Sequence, residues 1–291
     1  MNSNKYIKNP DIFHTLLVCA LSLAPLRLIS NFFGRLARQK SGKILPSIIS
    51  IFIRTLRINI SEALLEQEKF ETFNDFFSRR LKKNAREIDS NPKSVVSPVD
   101  GTILSFGSLN NNIIIEAKGT GSNIEDLLVI AGFKKRFIGG DYIVIYLSPR
   151  DYHRIHSPVA GKIMGYSHIP GRLYPVNRFA VNNIDRLFST NERIVTYIEC
   201  DNHVCALVKV GATNVGSIRL SYKDSVRTNR IYRKKTTDIF INTIPVKKGD
   251  EVAWFEIGST VILLFEKDMV RLNNLKMGEH ILMGTPVAKL R

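Results

Sequence analysis

Cysteine is scarce in this chain, with three residues among 291. Cys19, Cys200 and Cys205 are too few for a disulfide framework, and the Asp-Asn-His-Val spacing inside the closer pair is a poor zinc motif. The sequence also contains no Cys-x-x-Cys pair and no His-Glu-x-x-His pattern. We therefore expect no metal site, and we expect reduced, structural thiols of the kind found on the cytoplasmic side of a membrane.

The sequence also lacks an apolar run long enough to cross a bilayer, which takes about 20 residues. The longest candidate, residues 15–26, is broken by Pro25, and arginines interrupt the apolar segments that follow. The same stretch has no small-residue cleavage site in the position that a secretory signal requires. We therefore expect neither a spanning helix nor a signal peptide.

Acidic residues are outnumbered by basic ones, 26 against 42, which gives a formal charge of +16. Residues 1–60 hold nine Lys or Arg and one acid, Asp11, interleaved with apolar residues. This pattern favours basic amphipathic helices lying on an anionic membrane, so we expect a peripheral membrane protein. Packing of these helices on the protein's own core, with arginines facing water, is the alternative.

A nucleic-acid partner is not expected, although residues 227–235 form a basic run with one tyrosine. No helix-turn-helix, RNP-like or zinc-finger pattern accompanies that run. A solvated loop near anionic head groups explains it at least as well.

The tripeptide Gly258-Ser259-Thr260 interrupts the otherwise apolar, β-branched run 254–265. Glycine lets another group approach its carbonyl closely, and the next residue supplies a hydroxyl within reach of that carbonyl. Such a hydroxyl cuts its own chain if a base activates it. A β-bulge that contains a serine is the plainer interpretation of this segment alone.

A base and an acid stand upstream of that serine. Residues 146–161 hold His153 and His156, two of only six histidines, and Asp100 lies in the Pro/Gly turn of residues 97–101. The order Asp, His, Ser is one of several that build the same catalytic triad. Most chains contain such a trio, and His-x-x-His is also a metal-ligand spacing, although no other metal motif accompanies it here.

An internal echo supports a binding module as the non-enzymatic alternative. Residues 97–103 and 157–163 are near copies, with Ala160 standing where the first copy has Asp100, and residues 246–252 resemble the turn of biotinyl and lipoyl carrier domains. A carrier needs an exposed lysine in a hairpin, and this hairpin offers no clear candidate. A serine hydrolase is the second enzymatic alternative, but the Gly-x-Ser-x-Gly elbow is missing.

The coarse pattern predicts an α+β fold. The first 90 residues are predicted helical, with helix starts at 61–66 and at Thr72, which would cap residues 73–81. Strands follow at 112–116, 142–146, 193–198 and 204–210, with a short helix at 124–132. We expect a mainly antiparallel, barrel-sandwich-like catalytic domain over 61–291, preceded by membrane-associating helices over 1–60.

Together these segments resemble the phosphatidylserine decarboxylases, the pyruvoyl-dependent enzymes of the bacterial and mitochondrial type. The resemblance runs along nearly the whole chain, and two departures from the family pattern are mild: Ile257 where leucine is commoner, and extra basic residues after Ser217. The landmarks are residues 72–81, 97–101, 146–156, Arg193 with its preceding Asn191-Glu192, 210–218 and 255–265.

The resemblance implies that the chain processes itself. Ser259 would attack the carbonyl of Gly258, giving an ester, and elimination would then release the upstream chain and leave dehydroalanine, which would lose ammonia to become an N-terminal pyruvoyl group. His156 would be the base and Asp100 would orient and stabilise its imidazolium. The products would be chains 1–258 and 259–291, held together by strand pairing of residues 261–265.

The resemblance also implies the mature reaction. The pyruvoyl carbonyl would form a Schiff base with the amine of phosphatidylserine, carbon dioxide would leave, and phosphatidylethanolamine would result without PLP or a metal. His153 would donate a proton or position the carboxylate, unless it is a structural histidine. The family precedent suggests a homodimer. A soluble amino acid is the alternative substrate, and the basic N-terminal segment favours the lipid.

Overall fold

The computed structural model describes residues 21, 23–109, 113–117, 120–128, 135–176, 178–213, 217–230, 234–256 and 260–291. Within these residues the protein is α+β, with open and mostly antiparallel sheets, which confirms the predicted class. The predicted scissile pair, Gly258 and Ser259, lies outside the described residues, and so do Cys19 and the first 20 residues of the predicted membrane segment.

The longer helices lie near the N-terminus. None of the described helices is long and apolar enough to span a membrane. The α-helices are α1 Leu26–Ala37, α2 Leu45–Leu56, α3 Phe73–Phe77, α4 Ile124–Leu127, α5 Arg178–Asn183 and α6 Leu187–Thr190. Short 3₁₀ helices occupy Gly42–Ile44, Ile60–Glu62, Gln67–Lys69 and Lys135–Phe137.

The helix predicted to begin at Thr72 is confirmed, but its predicted end is wrong. The Thr72 hydroxyl accepts from the amide of Asp75, whose carboxylate accepts from the amide of Thr72, each over 3.1 Å. This reciprocal capping box fixes the start of the helix. The helix then ends at Phe77, where the hydroxyl of Ser78 turns back to the carbonyl of Asn74 over 2.8 Å.

The helix predicted to start at 61–66 is wrong. A 3₁₀ turn is followed by an extended Ala63, which forms an isolated bridge with Leu81. The Leu64 amide also donates to the carbonyl of Arg80 over 2.8 Å. Leu64 and Leu65 remain 55% and 43% exposed, so no apolar face holds a helix here, and pairing with a distant segment determines the backbone.

The core is an eight-stranded sheet of antiparallel pairs. In spatial order its strands are β11 Thr236–Val246, β7 Gly161–Ile169, β8 Arg193–Cys200, β9 His203–Val210, β13 Thr260–Phe265, β5 Asp141–Tyr146, β2 Gly101–Ser108 and β15 His280–Ile281. Strand β13 is fully buried between β9 and β5, so both of its edges are paired. The strands predicted at 142–146, 193–198 and 204–210 are confirmed.

Three smaller sheets complete the fold. They are β10 Ile218–Leu220 with β12 Glu251–Phe255 and β6 Arg154–His156; β1 Ser94–Val96 with β16 Pro286–Leu290 and β14 Val270–Leu272; and β3 Ile113–Ala117 with β4 Thr120–Asn123. Strand β3 matches the prediction at 112–116 apart from Asn112, which lies outside the described residues, as do residues 129–132 of the predicted helix.

The near-copies 97–103 and 157–163 form equivalent turns that lie against each other. In each copy the serine hydroxyl donates to the carbonyl two residues on, over 2.6 and 2.7 Å. The His156 amide donates to the carbonyl of Pro98 over 2.8 Å, and the amide preceding the first copy donates to Pro158 over 3.0 Å. The repeat therefore brings the backbone of His156 beside the turn that carries Asp100.

Candidate active site

The site is built around the junction between β12 and β13, which flank residues 257–259. Thr260 opens β13 between Tyr146 and Val210 of the neighbouring strands. Its buried hydroxyl has no hydrogen-bond partner in the part of the chain that the structure describes. On the other side, the amide of Phe255 donates to the carbonyl of His153 over 3.0 Å, which places this histidine beside the junction.

His153 is fully buried and presents an unpartnered nitrogen. Its Nδ1 lies 2.8 Å from the carbonyl of Asp151, so Nδ1 carries the hydrogen and Nε2 holds a lone pair. Among the described residues, Nε2 has no partner, and the ring packs 4.2 Å from that of Phe77. Burial and the positive charge of Arg79 lower the pKa of His153 to about 3. The imidazole is therefore neutral at pH 7, and Nε2 is a proton acceptor.

His156 is also buried and has the same tautomer. Its Nδ1 donates to the carbonyl of Gly249 over 2.7 Å, and its Nε2 accepts from the hydroxyl of Tyr152 over 3.0 Å. Burial lowers the pKa of His156, and the bond to Gly249 partly offsets that effect. A neutral imidazole with a basic Nε2 is the form that removes a proton from a hydroxyl.

Asp100 is buried, and in this structure its carboxylate binds Arg86 rather than His156. Arg86 Nε donates to both carboxylate oxygens over 2.9 and 3.0 Å, and Nη2 donates to one of them over 2.5 Å. The amide of Met283 adds a bond of 2.8 Å. Because both ring nitrogens of His156 have other partners, the two residues are neighbours without a direct hydrogen bond. The role of Asp100 in orienting the imidazole stays a prediction.

Sequence reasoning missed three groups that shape the site. Tyr152 was detectable, because it stands in the same short motif as both histidines. The residues around Arg86 form no motif that would mark it as part of the site, and its pairing with Asp100 is seen only in the structure. Glu256, a carboxylate at the end of an apolar strand and 4% exposed, has Arg38, Arg219 and Arg227 as ion partners.

An apolar groove of about 690 Å³ runs next to the junction. Phe77 belongs both to this groove and to the packing of His153, and Tyr146 pairs with Thr260 at the start of β13. Its lining includes Leu36, Phe52, Phe73, Phe77, Tyr146 and Val176, which come from α1, α2, α3, β5 and the loop before α5. A groove of this chemistry suits hydrocarbon chains.

The cysteines and acidic residues form no site of their own within the described ranges. Cys200 and Cys205 are free and buried, and burial raises the pKa of Cys200 to about 11. No group of three His, Cys, Asp or Glu residues in those ranges has the geometry to hold a metal ion.

Comparison with known proteins gives the chain a family. The phosphatidylserine decarboxylase family profile matches residues 73–289. A phosphatidylserine decarboxylase proenzyme of Brevibacillus brevis is 40% identical over 282 residues, covering 96% of each chain. The proenzyme of Myxococcus xanthus is 44% identical over 251 residues, 86% of this chain and 89% of that one. The chain therefore belongs to the phosphatidylserine decarboxylase family and is an enzyme of the carboxy-lyase class.

Proposed function

We propose that this protein cuts its own chain between Gly258 and Ser259 and then converts phosphatidylserine to phosphatidylethanolamine and carbon dioxide. The observation that carries the proposal is the buried, unpartnered Nε2 of His153, a residue whose carbonyl accepts from the amide of Phe255 and whose ring packs on Phe77 of the apolar groove. A desolvated acceptor nitrogen next to a lipid-sized groove suits a reaction on the polar head of a lipid.

In self-processing, His156 is the base. Its Nε2 takes the proton of the Ser259 hydroxyl as the oxygen attacks the carbonyl carbon of Gly258, and the imidazolium gives that proton to the nitrogen of Ser259 as the C–N bond breaks, which leaves an ester. Loss of the Cα proton of Ser259 then expels the Gly258 carboxylate, and the resulting dehydroalanine takes up water and loses ammonia to give the ketone. In the structure the hydroxyl of Tyr152 donates to Nε2 of His156. Before Nε2 can take the serine proton, this hydroxyl must turn away, or it must itself relay the proton from Ser259 to Nε2.

Burial lowers the pKa of His156, while the bond to Gly249, the charge of Glu251 and, least, that of Asp100 raise it. The buried carboxylate of Asp100 would thus add to the electrostatic stabilisation of the imidazolium.

A pyruvoyl group formed from Ser259 fits the polar atoms around the junction. The orphaned hydroxyl of Thr260 can donate to a carbonyl or carboxylate oxygen, and Nε2 of His153 can accept from a protonated group or from a water. When formed, the ketone supplies the acceptor for the substrate amine and for the electron pair that carbon dioxide leaves behind. His153 would hold the proton that returns to carbon.

The N-terminal helices supply the contact with the membrane in this proposal. Leu28 and Phe32 of α1 and Ile51 of α2 are 69%, 64% and 63% exposed, and Ile44 between the helices is 67% exposed. Leu45 and Ile49 of α2 are buried at the same time, so these helices also pack inward. The proposal thus combines the two interpretations of the basic N-terminal segment, membrane contact and packing on the protein's own core. One face of the helices packs on the protein, and the other would lie in an anionic, cytoplasmic membrane surface. A homodimer stays a prediction.

Intact mass of the purified wild type, with and without a carbonyl-trapping hydrazine, tests the processing step. We expect two chains that split at Gly258/Ser259, with the trap adding its mass to the short chain only. Ser259→Ala is the control, and it should remain one chain because the nucleophile and the ketone precursor are both removed. Cleavage of Ser259→Ala, or an intact wild type that decarboxylates, would contradict the proposal.

Headspace carbon dioxide from phosphatidylserine in mixed micelles tests the substrate. The cleaved wild type should release it, and Ser259→Ala should not. Release of carbon dioxide from free serine or another soluble amino acid, with none from the lipid, would show that the substrate is a soluble amino acid.

A further inference from the structure

Helix α1 is held at its C-terminal end by a buried carboxylate next to the junction. Arg38, the residue that caps this helix, donates Nη1 to Oε2 of Glu256 over 2.8 Å. The Glu256 side chain is 4% exposed, and Glu256 stands two residues before Gly258. The two partners are 218 residues apart in sequence, so this contact ties the N-terminal helix directly to the segment predicted to be cut.

Glu256 is also anchored from its other sides. The hydroxyl of Ser217 donates to its carboxylate over 2.7 Å, and Nη2 of Arg227 does so over 3.0 Å. Arg219 lies 3.4 Å away, and the amide of Glu256 donates to the carbonyl of Ser217 over 2.9 Å. Three guanidinium groups around one carboxylate hold it in one place through charge-assisted contacts. Arg38 is the one of the three that comes from outside the β-rich domain.

The other end of α1 is attached in the same way. Arg27 lies 2.8 Å from the fully buried carboxylate of Glu192 and donates to the carbonyl of Gly171 over 2.7 Å. The carbonyl of Glu192 in turn accepts from the amide of Gly211 over 2.8 Å, next to the part of the chain that lines the apolar groove. The helix is therefore fixed at both ends to buried acids, which is more than a surface-adsorbing helix requires.

We infer that Arg38 is a positioning residue for self-cleavage: by holding Glu256 it sets the place of residues 257–259, so that cutting the chain depends on helix α1. The inference rests on the proposed function. Its physical basis is that nucleophilic attack needs the reacting atoms about 3 Å apart, and a misplacement of about 1 Å lowers a rate by about a hundredfold. Residues 257–259 join strand β13, which is fixed in the sheet, to Glu256. Their placement therefore depends on how firmly Glu256 is held.

Arg35 provides a matched control on the same helix. It is basic and exposed, and its side chain makes no hydrogen bond or ion pair with any residue that the structure describes. If positive charge near a membrane were what matters, replacing either arginine would slow cleavage. A positioning effect would follow only the loss of Arg38.

The test is a time course of chain cleavage after cell-free synthesis of the full-length protein in neutral detergent without anionic lipid. We expect Arg38→Gln to slow cleavage tenfold or more, Arg35→Gln to stay within about twofold of wild type, and Arg38→Lys to recover much of the rate. Thermal unfolding of Arg38→Gln in the uncleavable Ser259→Ala background checks the fold. A melting point within about 2 °C of the parent excludes general destabilisation as the cause.

Each other outcome counts against the inference. Wild-type cleavage by Arg38→Gln, or equal slowing by Arg35→Gln, would overturn the role of Arg38 and leave the proposed function standing. If Arg38→Gln is too unstable to assay, Arg38→Lys decides instead: a stable Lys variant that is cut measurably more slowly than wild type supports positioning, and a Lys variant that is cut at the wild-type rate overturns it. A wild type that never cleaves would overturn the proposed function and this role together.

Discussion

The two histidines differ in what their Nε2 atoms meet. Both donate Nδ1 to a backbone carbonyl, both are buried, and burial lowers the pKa of both. Nε2 of His156 meets the hydroxyl of Tyr152, whereas Nε2 of His153 meets no hydrogen-bonding group among the described residues. A nitrogen held in an internal hydrogen bond suits a reaction within the chain, and an open one suits a reaction on a substrate.

Replacing His153 should therefore separate the two reactions. His153→Ala should be cut at close to the normal rate but should decarboxylate phosphatidylserine about 10² to 10⁴ times more slowly, the usual loss for a proton-transfer group. Gel analysis reports the first reaction and released carbon dioxide the second. Normal turnover by the cut variant would return His153 to a structural role.

Asp100 presents a different test, because its main partner is Arg86. Asp100→Asn should slow cleavage if this carboxylate stabilises the His156 imidazolium, and it should also lower stability, since breaking a buried pair costs about 3–5 kcal/mol. Arg86→Gln should lower stability similarly but cut faster than Asp100→Asn. Thermal unfolding in the Ser259→Ala background and cleavage rates separate the two effects. Equal cleavage rates in the two variants would show that Asp100 acts only through its pair with Arg86.

At the level of elements, local signals were predictable and pairings between distant segments were not. The capping box at Thr72 lies within four residues, so the helix start followed from the sequence. The bridge between Ala63 and Leu81 replaced a predicted helix, and no pattern within 61–66 indicates that partner. In the same way, His153 and His156 stand in one recognisable motif. The sequence around Arg38 or Glu256 contains no pattern that predicts their contact.

Strand β9 contains a feature that lowers the stability of the sheet. Lys209 is fully buried, and its Nζ hydrogen-bonds to the hydroxyl of Thr196, which in turn bonds to that of Tyr222. No carboxylate pairs with it in the described structure, and burial lowers its pKa well below 10.5. Below pH 10.5 the unfolded chain therefore binds a proton that the folded chain does not, and stability falls as the pH falls toward the folded-state pKa.

Lys209→Met should accordingly stabilise the protein. In the Ser259→Ala background we expect a higher melting temperature at pH 7 and a smaller gain at pH 10, since each pH unit in this window is worth about 1.4 kcal/mol. Calorimetry at the two pH values measures the difference. A gain that does not shrink at high pH would mean that Lys209 is charged in the folded protein.

At the scale of the whole molecule, the proposed membrane contact would be made through the exposed apolar face of α1. Leu28→Ser with Phe32→Ser should weaken binding to anionic vesicles at least tenfold, because each side chain contributes about 1.5–3 kcal/mol on burial. Ile241→Ser is the control, since this residue is fully exposed and belongs to β11 rather than to α1 or α2. Vesicle flotation measures binding. An equal loss in the control would remove the special role of α1.

The position of β13 limits how often one molecule can fold. This strand is paired along both edges. In an uncut chain it is covalently joined to the strands beside it, so it enters the sheet as part of the same folding reaction. After the proposed cut, the same strand would belong to a separate chain of 33 residues, and reassembly would depend on two dilute partners meeting. Heat or denaturant would then inactivate the mature enzyme permanently, whereas the uncut Ser259→Ala protein would recover on cooling. Self-processing of this kind makes the lifetime of each enzyme molecule equal to the lifetime of its first folded state.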